Sequence, residues 1–150
     1  MKMLHRGEKG LTLIELLIVV AILGIIAAVI IPNIGTFMTM GTVSAANTEA
    51  ENVQTAALAY YADAGVWPEN TASAATVGNT TYQFIDYYAG RLKASYHFNE
   101  YGFIDGVGNP DGIPVSGGTK SSGYDGIVWQ NSVDGVASVE GHGQWVREED

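Results

Sequence analysis

One hundred and fifty residues with sixteen acidic and seven basic side chains give a net charge of −9, with 47% hydrophobic residues and no cysteine. That length allows one modest domain beside a membrane segment. The acidity argues against a nucleic-acid surface, which needs clustered Lys and Arg to neutralise phosphates. Without cysteine there is no disulfide staple, so loops must be held by packing, hydrogen bonds or metal.

The chain opens on a short basic leader, residues 1–10, with Lys2, Arg6 and Lys9 against Glu8. Four basic and fifteen acidic residues remain from Leu11 onward, a net of −11. Residues 11–31 follow as an apolar run broken only by Thr12, Glu15 and Gly24. As a helix, 21 residues span about 31 Å, enough to cross a bilayer. The positive-inside rule then sets the N-terminus in the cytoplasm and the acidic remainder outside. A carboxylate inside such a run costs roughly 2.5–3.5 kcal/mol at mid-helix and less near an end. Glu15 therefore needs a partner. A secretory signal peptide has a shorter apolar core, and a plain anchor explains neither Gly10 nor Glu15.

Residues 10–15, Gly-Leu-Thr-Leu-Ile-Glu, resemble the class III signal of type IV prepilins and type II secretion pseudopilins. Leu11 stands where that family most often has Phe. The likeness continues to Pro32 and covers about the first third of the chain. It implies a structural subunit of a type IV pilus or pilus-like filament, not an enzyme. A prepilin peptidase would cut between Gly10 and Leu11 and methylate the Leu11 amine. Glu15 would pair with that amine on a neighbouring subunit and set axial register. The implied partners are further copies of the chain, the peptidase and the membrane assembly machinery. The precursor would be a single-pass inner-membrane protein, later an extracellular or periplasmic filament. The alternative within the family is a major pseudopilin of a type II secretion system. A more distant alternative is a membrane-anchored binding module, with residues 66–150 as a ligand domain and no cleavage at Gly10. Many pilins close a C-terminal loop with a disulfide, which this chain lacks.

Beyond Pro32, where the ring disfavours helical geometry at Ile31 and predicts a bend, apolar residues recur at three- and four-residue spacing. Ile34, Phe37, Met38, Val43, Ala46, Ala50, Val53, Ala57, Tyr60, Tyr61 and Ala64 form that stripe, the period of an amphipathic helix. Gly65 and Pro68 predict its end. Gly24, Gly35 and Gly41 weaken the helix, and fit either close packing or local bending during assembly. The division expected is a leader at 1–10, a membrane-spanning and filament-core half-helix at 11–35, and a globular head at 36–150.

Residues 69–78 read as a loop, and 81–92 as either a short helix or a strand. Strands are expected at 94–98, 101–104, 126–129, 136–139 and 144–146, with turns at 99–100 and 132–135. The glycine-rich segment 106–126 reads as loop. The fold class is α+β: a long N-terminal helix whose second half packs on a small antiparallel sheet of three to five strands. Val43, Ala46, Val53, Ala57 and Tyr60 should meet its inward face. The same architecture follows from the pilin resemblance.

Catalytic chemistry has little to stand on. His5 leaves with the leader, His97 is expected to face solvent from a strand, and His142 sits between glycines. No nucleophile elbow, phosphate loop or paired-histidine metal motif occurs. Asp105, Asn109 and Asp111 offer oxygen ligands suited to calcium. Ser122, Gly123, Asp125 and Gly126 faintly resemble a pseudopilin calcium loop, with shorter spacing and no acidic tail. Ordinary turn chemistry accounts for the same Asp-Gly and Asn-Pro pairs. The eight tyrosines fit core edges and interfaces; nothing in their spacing supports a conductive path.

Overall fold

The computed structural model describes residues 11–88, 90–131 and 143–148. Helix α1 runs over Leu13–Ala64. Thr12 caps its start, with Leu16 N donating to Thr12 O at 3.2 Å as the first helical bond. The end falls where Gly65 takes φ +71° and donates to Tyr61 O at 2.9 Å. That left-handed residue is what stops the helix.

The chain divides into two compact units, residues 1–37 and 38–150. In the first, all described side chains are exposed, and α1 there is long and apolar enough to cross a membrane. The helix continues through Pro32. The ring offers no N–H to the preceding turn, while Asn33 Nδ2 adds a 3.0 Å bond to Val29 O.

In the second unit, α1 buries Ala46, Ala50, Val53, Ala57, Tyr60 and Ala64 of the expected stripe, with Ala56 added, while Met38 and Tyr61 of that stripe are exposed. Val43 packs half-buried against the same core. Six strands follow: β1 Ala74–Val77, β2 Thr80–Gln83, β3 Ser95–Phe98, β4 Ile104–Gly108, β5 Ile127–Gln130 and β6 Gln144–Arg147, with a 3-10 turn at Phe84–Tyr87 after β2. They pair antiparallel as β1–β2, β3–β4 and β5–β6. The expected single sheet is thus replaced, among the described residues, by three two-stranded ladders.

Loops explain the difference, because they occupy the ladder edges. Thr71 N donates to Tyr96 O and Phe98 N to Glu69 O along the outer side of β3. On the outer side of β4, Gly117 N donates to Asp105 O and Val107 N to Gly118 O. Trp129 N donates to Thr119 O, so the same loop reaches β5.

Three local expectations also change. Residues 69–78 include β1, and the glycine-rich segment supplies the end of β4. The strand expected at 101–104 starts only at Ile104, because Asn99 organises a turn. Its Oδ1 accepts from Tyr101 N and Phe103 N, both at 3.0 Å. The segment 81–92 is a strand end followed by a 3-10 turn. The strand expected at 136–139 and the turn at 132–135 lie outside the described residues.

The core is aromatic. Trp129 meets Tyr96 and Trp145 edge-on at 6.3 and 5.8 Å between centroids. Trp145 meets Tyr124 at 5.1 Å, and Phe84 lies between Tyr60 and Phe98 at 6.4 and 5.8 Å. Each such buried ring contributes roughly 1.5–3 kcal/mol by removing its surface from water.

Candidate functional site

Thr12 and Glu15 form a reciprocal cap at the start of α1. Thr12 N and Thr12 Oγ1 donate to Glu15 Oε2 at 2.8 and 2.7 Å, and Glu15 N donates back to Thr12 Oγ1 at 3.3 Å. This is the Thr-x-x-Glu box, which satisfies amides that no helical carbonyl can reach. Glu15 thus has a partner inside its own subunit. Its Oε1 accepts no hydrogen bond among the described residues. The Thr-x-x-Glu spacing is legible at 12–15, and the role of Thr12 is the feature sequence reasoning passed over. Leu11 is exposed beside it; Gly10 lies outside the described residues.

In the second unit, polar side chains of α1 bind the backbone of the strands. Asn47 Nδ2 donates to Trp145 O at 3.1 Å while Trp145 N donates to Asn47 Oδ1 at 2.7 Å. Glu49 accepts from Lys93 N at 3.0 Å, Ala94 N at 3.2 Å and the Tyr96 hydroxyl at 2.9 Å. Gln54 Nε2 donates to Gly102 O. Burial first, then the Glu49 charge, pushes the Tyr96 and Tyr124 phenols well above the usual tyrosine range. Both stay neutral through ordinary pH.

His97 does not face solvent as expected. It is half-buried, with Nδ1 2.5 Å from Asp105 Oδ1, while Ser116 Oγ donates to Asp105 Oδ2 at 2.7 Å. The bulge between His97 and Phe98 accompanies that turn of the strand. A nucleophilic triad needs the imidazole between hydroxyl and carboxylate; here the carboxylate stands in the middle, and the three residues act as a loop clasp. Asn109 is likewise engaged, its Oδ1 accepting from Ser122 N and its carbonyl from Ser95 Oγ, both at 2.8 Å. Asp111 and Asp125 are exposed. Among the described residues no three His, Asp or Glu side chains gather to hold a metal, so Asp105, Asp111 and Asp125 form no cluster.

Residues 5–31 match the family model described as the prokaryotic N-terminal methylation motif. The chain is 37% identical over 84 residues to a fimbrial protein, EcpC, of Eikenella corrodens, covering 56% of this chain and 55% of that one. It is 48% identical over 67 residues to the type IV major pilin protein PilE1 of Neisseria gonorrhoeae, covering 45% and 41%. Over its N-terminal half, the chain is similar to type IV pilins and fimbrial proteins.

It spans about half the length of the curated relatives it matches. The type IV major pilin protein PilA of Myxococcus xanthus is 44% identical over 56 residues, covering 37% and 26%. No solved structure matches the chain. One long helix followed by small antiparallel ladders agrees with the α+β fold class expected.

Proposed function

We propose that the chain is a structural subunit of a type IV pilus, assembled through α1. The observation that carries this reading is the methylation motif laid over a membrane-capable helix whose first turn holds Glu15. Pilus use, rather than use as a secretion pseudopilin, is favoured by the relatives, which are fimbrial and pilin proteins.

In this mechanism residues 11–35 hold the precursor in the inner membrane, leader in the cytoplasm and head, 36–150, outside. A prepilin peptidase cuts between Gly10 and Leu11 and methylates the new amine. Loss of the charged leader lets the apolar helices leave lipid and pack together, bending at Pro32, and the filament emerges at the cell surface. The Thr12 cap leaves Glu15 Oε1 open to the Leu11 amine of the next copy. A carboxylate in that low-dielectric bundle costs several kcal/mol when unpaired, so only registers that present an amine are populated.

Two measurements test this together. Intact-mass analysis should find a mature chain beginning at a methylated Leu11. Glu15→Val should keep membrane insertion and processing while lowering filament yield. Retention of Met1, or normal polymerisation of Glu15→Val subunits expressed alone, would count against the mechanism.

A further inference from the structure

A filament grown from one kind of subunit needs a heterologous contact, in which one face of a copy meets a different face of the next. Charge restricts where that contact lies, because copies of residues 11–150, with a net of −11, repel one another. Four cations occur beyond residue 10. Lys120 pairs with Glu148, and Lys93 Nζ lies 5.7 Å from the centroid of the Tyr124 ring. The side chains of Arg91 and Arg147 have no hydrogen-bond or ion-pair partner among the described residues.

Arg91 stands out by its surroundings. It lines a groove of about 450 Å³ with Ile85, Leu92, Pro110 and Ile113. Ile85 and Ile113 remain 58% and 78% exposed. Asp111 shares the lining, so this face is close to neutral on an otherwise acidic head. A second groove, of about 400 Å³, is lined by Leu58, Trp67, Tyr101 and Phe103 together with Glu51. Leu58 and Tyr101 are 58% and 50% exposed there. Glu100 stands next to Tyr101 in the chain and holds its phenol above the usual tyrosine range. The two grooves share no lining residue.

We propose that the Arg91 face of one copy seats on the Leu58–Tyr101 face of the next, an inference that rests on the filament reading above. Ile85 and Ile113 are buried against Leu58 and Trp67, and Arg91 meets Glu51 and Glu100. Apolar burial supplies the affinity, while the charges set polarity and register. Pairing the acidic face with itself would oppose Glu51 and Glu100 to their own copies, so the contact runs head to tail.

The absence of cysteine makes the test direct. Ile113→Cys and Leu58→Cys are placed in separate full-length copies, expressed together in native cells, and sheared filaments are oxidised. A disulfide-linked dimer should form only when both variants are present, and a ladder when both changes are in one chain. Ile85→Cys with Tyr101→Cys gives a second pair should the first disturb folding. In parallel, Arg91→Glu should lower filament yield about tenfold, and Glu51→Arg with Glu100→Arg should restore it. Normal filaments without cross-links from either pair overturn the contact and leave the filament reading standing. A cross-link from Ile113→Cys to a different protein overturns it in favour of that partner. Absence of filaments from the unmodified chain, with processing intact, removes the filament reading and this inference with it.

Discussion

Asn47 sits on a helix yet bonds like a neighbouring strand. Its amide satisfies both the N–H and the carbonyl of Trp145, at 2.7 and 3.1 Å, and so ties β6 to α1 in a chain that has no disulfide. Asn47→Ala would leave both backbone groups without partners, at a cost of about 2 kcal/mol. Urea unfolding of residues 36–150 should show that loss, and an unchanged midpoint would mean that the bonds are replaced by water. Tyr96 and Tyr124 give the head a pH limit. Both phenols are raised by burial and by Glu49, so the folded state holds their protons more tightly than the unfolded chain. Their contribution is complete below the unfolded tyrosine pKa of about 10 and is lost as pH rises toward the folded values. The unfolding midpoint should therefore hold steady to about pH 9 and fall above 10. Tyr96→Phe should make that fall shallower; an equal slope would remove Tyr96 from the account. Thr12 shows how a residue is missed: an apolar run draws attention to the charge within it, and the short hydroxyl that serves the charge reads as an interruption.

At the level of elements, periodic and punctuated segments were legible and glycine-rich ones were not. The stripe from Ala46 to Ala64 and the stop at Gly65 depend only on local spacing and on a left-handed residue. β4 depends on something remote. Gly106 and Gly108 end it because the 114–118 loop lies against them; a Cβ on Gly106 would stand 2.1 Å from Val115 O. Read locally, glycine predicts a loop; here it permits close approach between two backbones. The turn expected at 99–100 runs on to 103, and that extension was hidden, since Tyr101 and Phe103 look like strand residues until Asn99 claims their amides. Gly106→Ala should thus destabilise the head by about 1–3 kcal/mol. Gly41→Ala, in a helix with nothing within 4 Å of the added carbon, should stabilise it by up to about 1 kcal/mol. Thermal melts of the two variants should move in opposite directions, and a common direction would refute this division of roles.

Taken whole, the chain joins two kinds of surface. Residues 11–37 expose side chains that water disfavours, whereas residues 38–150 hold the aromatic core and all but one of the acids beyond the leader. A fragment of residues 36–150 should be a soluble monomer that folds without oxidant, with net charge opposing association. Sedimentation and circular dichroism would check this, and an aggregated or unfolded fragment would show that the head needs the apolar half of α1. The hydrogen-bonding rims of β3 and β4 are filled by residues 69–71 and 117–118. A bare rim would invite the same strand on another copy, and crowded copies would fuse edge to edge into amyloid-like stacks. With these two rims closed, copies that meet at the β3–β4 ladder must join through side chains, which can be separated again without tearing a backbone ladder.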